Sequence, residues 1–151
     1  MSTGSNDHNH GAGFQALADP LGRPVDGLLM SEFIGSAFDG CTACQDAQLT
    51  LLIEDPATSA RVVELACVAV QGKFGGLPDG MTDPAAAGPA APEFRQLARA
   101  GLDARNDAMF QECARMTTTQ RRAAVNTAAD VLVGMMSMPD ITGQALHGTE
   151  W

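Results

Sequence analysis

The stretch Asp55-Pro-Ala-Thr-Ser-Ala-Arg-Val-Val-Glu-Leu-Ala-Cys-Val-Ala-Val-Gln-Gly72 decides the fold class. Asp55-Pro56 is a stop and restart signal, an N-cap candidate followed by proline at the first helical position. From Arg61 to Gln71 the chain is apolar nearly all round, through Val62, Val63, Leu65, Ala66, Val68, Ala69 and Val70. A thin polar stripe remains at Arg61, Glu64 and Gln71. Valine-rich runs also suit strands, but the length and the stripe favour a helix at the centre of a bundle.

The flanking segments follow the same period. Upstream, Met30, Phe33, Ile34, Ala37 and Phe38 make one face of a short helix from Leu28. Gly40 can take the left-handed conformation that ends it, and Asp39 can cap the next helix. That second helix, about Cys41 to Glu54, is expected to bury Cys44, Ala47 and Leu51, with Leu52 alongside. Residues 72–92 break the order with Gly75-Gly76, Leu77-Pro78-Asp79-Gly80 and a Pro/Ala/Gly run, and read as a tether. A fourth helix after Pro92 would turn Phe94, Leu97, Ala98, Leu102, Ala108, Met109, Cys113 and Met116 inward, with Arg95, Arg99, Asp103 and Asp107 outside. Thr117 and Gln120 fit a capping box for a fifth helix, which Pro139 ends. Its exposed stripe is Arg122, Asn126 and Asp130, and its inward face is Val125, Ala128, Ala129, Leu132, Met135 and Met136.

No segment alternates at period two. The expectation is therefore an all-α bundle of about five helices over residues 28–139, with antiparallel hairpins at short connections. Residues 1–27 read as a flexible acidic arm, and 140–151 as a short tail.

Composition narrows the function classes. The chain has 151 residues, 45% hydrophobic, enough for a core, and a net charge of -9. Seven of those nine charges belong to residues 1–60, where eight acids face only Arg23. Such acidity argues against a nucleic-acid partner, which needs cations to replace phosphate counterions. It also weighs against reading Gln120-Arg121-Arg122 as part of a helix-turn-helix. No apolar run approaches the length of a membrane span, and Met1 to Gly13 lacks the basic start of a secretory signal. A cytoplasmic location is the expectation.

Four cysteines carry the candidate chemistry. Cys41-Thr-Ala-Cys44 is a CxxC, which in a reducing compartment reads as a metal or redox motif. Cys44 lies eleven residues before Asp55 and Cys67 eleven after Pro56. If the two helices fold back on each other, both thiols stand about 16 Å from the turn at one height. Cys41, Cys44 and Cys67 could then converge, with Cys113 joining if the fourth helix is placed suitably. Three readings stay open: inert buried thiols, a thiolate zinc site through these cysteines, or a redox dithiol with Cys41 activated at a helix start and Cys44 resolving.

Residues 41–48 also resemble, locally, the CxxC segment of all-helical alkylhydroperoxidase-like proteins. There a histidine follows the motif and an upstream glutamate serves a proton relay. Here the histidine position holds Gln48, and Glu32 is an approximate match to the glutamate, so the resemblance implies the dithiol without the relay.

Other motifs are sparse. Asp7-His8-Asn9-His10 could hold a divalent metal, and His147 lies in the tail. Met135-Met136-Ser137-Met138 reads as core or as a malleable contact surface. Arg115, Arg121 and Arg122 could hold an anion at the start of the fifth helix. Neither a phosphate-binding loop nor a nucleophile elbow is present. The function expected from this pattern is a non-enzymatic adaptor or assembly protein, self-associating through methionine- and alanine-rich helix faces.

Overall fold

The computed structural model describes residues 22–102 and 108–137. Among them lie six α-helices and no strand: α1 Gly27–Asp39, α2 Thr42–Leu52, α3 Pro56–Phe74, α4 Pro92–Leu102, α5 Ala108–Arg115 and α6 Thr118–Ser137. The all-helical bundle is as expected. The expected fourth helix is two, α4 and α5, on either side of residues 103–107. Asp103, Asp107, the arm up to residue 21, Pro139 and the tail lie outside the described residues. None of the described helices is long and apolar enough to cross a membrane.

Local chemistry sets the helix ends. Gly40 adopts φ 73° and donates to Ala37 O at 3.2 Å, while Cys41 N donates to Ser36 O at 3.0 Å. Only glycine takes that left-handed turn cheaply, so the α1–α2 corner falls there. Cys41, not Asp39, is the N-cap of α2, and its side chain caps no backbone N–H. Asp55 accepts from Ala57 N at 3.1 Å and from Thr58 Oγ1 at 2.6 Å, with Pro56 opening α3. The capping box of α6 is reciprocal: Gln120 N donates to Thr117 Oγ1 at 3.1 Å, and Thr117 N to Gln120 Oε1 at 2.9 Å.

Helix α3 is the mast of the bundle and touches every other helix, with its broadest contact on α6. Val62, Val63 and Ala66 of α3 meet Val125, Ala128 and Ala129 of α6 in one core with Phe33, Leu52, Phe94 and Leu97. Small residues on α6 let the two long helices approach closely.

Several faces differ from the expected ones. On α2, Leu49 and Leu52 are buried, whereas Ala47 is exposed and Leu51 is 64% exposed. Three leucines within four positions supply two possible faces, and packing chiefly on α1 selects the second. Leu102, Phe38 and Met136, expected inward, are exposed. Arg95, expected outside, is buried, and so is Arg61 of the supposed polar stripe.

The Gly/Pro/Ala segment is fastened to the bundle. It contains a 3₁₀ turn at Asp79–Met81. Arg95 donates to the carbonyls of Ala86 and, at 2.9 Å, of Gly88. Ala91 N donates to Thr127 Oγ1 of α6 at 3.0 Å. Ahead of α1, Arg23 reaches Glu64 at 2.8 Å and lies over the Phe110 ring, and Asp26 N donates to Thr58 Oγ1 at 2.9 Å.

Arg121 joins three helix ends. Its Nε donates to Ile53 O at 2.7 Å, and its Nη1 to Met116 O at 2.6 Å and Cys113 O at 3.1 Å. Replacing it strands buried carbonyls, so Arg121→Ala should cost about 3 kcal/mol or more in urea unfolding. Arg121→Lys should recover only a minor part, because one ammonium cannot span the fork. Equal stability of wild type and Arg121→Ala would refute the clamp.

Candidate functional site

The CxxC corner is built by the end of α1 and the start of α2. The Gly40 turn fixes the backbone of Cys41, and Gln45 N donates to Cys41 O at 2.9 Å as α2 begins. Cys44 sits one turn further along. Gln48, one turn beyond that, ties the two helices together. The amide orientation that satisfies its neighbours points the nitrogen at Glu32 O (3.1 Å), Ser36 Oγ (2.7 Å) and Cys44 O (3.1 Å). Ser36 in turn gives its proton to Glu32 O at 2.8 Å. Gln48, which stands where the resembled family has histidine, is thus a brace at this site. On the outer side, Arg122 meets Asp46 at 3.1 Å and Thr50 Oγ1 at 3.0 Å, tying α6 to α2.

Cys41 and Cys44 are both half-buried and both carry free thiols. Their side chains are hydrogen-bonded to each other, which holds the Cys44 thiol above its ordinary pKa; desolvation and the charge of Cys41 add to the effect. Cys44 is therefore the proton-holding partner of the pair.

Cys67 and Cys113 belong to the core. Burial pushes the Cys67 thiol up to about 12, with the Glu64 carboxylate adding to the rise. Burial pushes Cys113 up to about 11; Arg121 opposes this and Asp55 adds to it. Thus the structure brings Cys41 and Cys44 together and places the other two thiols inside the bundle. Helix α2 leans chiefly on α1 and only lightly on α3, so the fold-back expected to align Cys44 with Cys67 is not the main packing. Among the described residues, no three His, Cys, Asp or Glu side chains form a group that could hold a metal ion.

The arginines expected to offer an anion site turn to protein partners. Arg115 pairs with Glu112 at 2.7 Å, Arg122 with Asp46, and Arg121 is buried among carbonyls. Nε of Arg61 and of Arg95 is buried without a hydrogen-bond partner among the described residues. Hydrophobic periodicity did not reveal these buried arginines.

Two apolar surfaces complete the inventory. One is a groove of about 460 Å³ between the C-terminal halves of α3 and α6, lined by Val68, Ala69, Lys73, Leu132, Met135 and Met136. The sequence pointed to its methionines as a contact surface but not to Val68, which is 55% exposed. The other is a cleft of about 370 Å³ where Leu28 and Leu51 stand among Asp26, Glu32 and Asp55. Compared with known proteins, the chain matches no family model, and neither a curated protein nor a solved structure is significantly similar to it.

The thiol environments predict two behaviours. In native protein at neutral pH, a bulky maleimide should label Cys41 or Cys44 well before Cys67 and Cys113, as read by peptide mass spectrometry. Alkaline stability should fall for a definable reason. A thiol whose folded pKa is raised favours folding below the unfolded value of 9.0, and that contribution is lost as pH rises toward the folded values of about 12 and 11. The chain has no tyrosine and Lys73 is its sole lysine, so cysteines dominate titration in this window. Urea unfolding should therefore weaken between these limits, less steeply in Cys67→Ala than in wild type. Equal slopes would remove Cys67 from that account.

Proposed function

We propose that this protein works through contacts, and that it self-associates through the α3–α6 groove. The observation that carries this reading is an apolar groove with no acidic side chain in its lining among the described residues, on a chain of net charge -9. Two copies approaching by any acid-bearing face would bring like charges together and lose their hydration. The groove avoids that cost. Val68 and Met136 are exposed and apolar, and Lys73 supplies the chain's single ammonium at the edge. Methionine side chains adapt their shape to a neighbour, which suits a self-complementary contact about a two-fold axis.

The Leu28–Leu51 cleft supports the choice by contrast. It exposes as much aliphatic surface, but three carboxylates surround it. Pairing two such clefts would crowd like charges.

Sedimentation velocity over a concentration series tests the reading. Wild type should form a dimer, and Val68→Asp with Met136→Asp should weaken it by about tenfold or more. Leu51→Asp, on the acid-lined cleft, should leave the association unchanged. Wild type that stays monomeric at every concentration would overturn the proposal.

A further inference from the structure

We propose that Cys41 and Cys44 form a redox dithiol that exchanges with disulfide-bonded partners, a role that shares no residue with the α3–α6 groove. Three observations converge on it. The two side chains are in mutual hydrogen-bond contact, one helical turn apart at the start of α2. Both are partly exposed, and Thr42 and Ala43 between them are exposed, so a disulfide can reach the pair. The other two thiols are sealed in the core, which leaves these two as the reactive set.

The corner suits the chemistry. Cys41 is the N-cap of α2 and stands at the turn between α1 and α2, although its side chain caps no backbone N–H. Cys41, at the α1–α2 corner, takes the attacking role, and Cys44, one turn into α2, takes the resolving role. Gln48, on the same helix, bonds the Cys44 carbonyl and ties it to Glu32 and Ser36 of α1.

The exchange balances with a disulfide R–S–S–R′ as oxidant. Cys41 thiolate attacks one sulfur; the S–S bond breaks and R′S⁻ leaves, taking a proton from water. Cys44 then attacks the Cys41 sulfur of the mixed disulfide, its own proton passing to the departing RS⁻. The products are the Cys41–Cys44 disulfide, RSH and R′SH, and the two electrons of the dithiol have moved to the partner.

The experiment exposes fully reduced protein to oxidised glutathione in one arm and to a disulfide-bonded polypeptide such as insulin in the other. Peptide mapping by mass spectrometry reads which cysteines are linked. A reversible Cys41–Cys44 disulfide in either arm supports the proposal, and the faster arm identifies the partner class. Cys44→Ser should trap a mixed disulfide on Cys41, and Cys41→Ser should slow the reaction at least about a hundredfold. Both positions are at the surface, and circular dichroism checks that each variant stays folded. If all four thiols stay reduced in both arms, or the bond forms through Cys67 or Cys113, the proposal is wrong.

Discussion

A buried guanidinium organises this bundle. Arg121 stands in the first turn of α6, where the chain has just left α5 and where α2 comes to its end. Its partners are the carbonyls of Ile53, Cys113 and Met116, all at or beyond a helix C-terminus. Carbonyls at such ends carry the negative end of the helix dipole, and that of Cys113 also accepts from Met116 N at 3.1 Å. A cation there answers several needs at once, which is why the charge is tolerated without a carboxylate beside it. The knot ties the end of α2 to the α5–α6 turn.

The same device recurs. Arg95 is buried under the Gly/Pro/Ala segment and bonds the carbonyls of Ala86 and Gly88. Among the described residues every buried charged side chain is an arginine, and no aspartate or glutamate is buried. The acids are therefore left to the surface, and the net charge is expressed outward. An excess of surface acid keeps copies apart wherever it is dense, so faces without it gain significance. The α3–α6 groove is such a face.

Legibility in the sequence divided along physical lines. Features set by neighbours in the chain could be read directly: the Gly40 turn, the Asp55-Pro56 restart and the Thr117–Gln120 box each need only local geometry. Features set by packing could not. The apolar periods of 94–98 and of 109–116 are each sound, but nothing ties their phase across residues 99–107, so one long helix looked as good as two. Gly101 was a missed signal. A Cβ there would lie 2.6 Å from Met109 Cε, so the Met109 side chain of α5 packs over the bare backbone of α4. Likewise an arginine reads the same in a sequence whether solvated or buried, because its destination depends on carbonyls supplied from elsewhere in the fold. The cysteine pair in one turn was legible for the same local reason. The wider convergence needed α2 to lie on α3, and its leucines chose α1.

Helix α2 carries the dithiol at one end and ends on the clamp at the other, and its two ends are held by different bonds. Gln48 and the Gly40 turn hold the start, Arg122 grips the middle through Asp46 and Thr50, and Arg121 takes the last carbonyl. A disulfide between Cys41 and Cys44 would stiffen only the first turn, which these bonds already fix. It would therefore form with little rearrangement of the bundle and transmit little to α3 or α6. The proposed thiol exchange and the proposed contact surface are thus mechanically separate, since the groove draws on the far halves of α3 and α6 and on no residue of α2. A small bundle gains from that separation, because each end can change without destabilising the core that supports both.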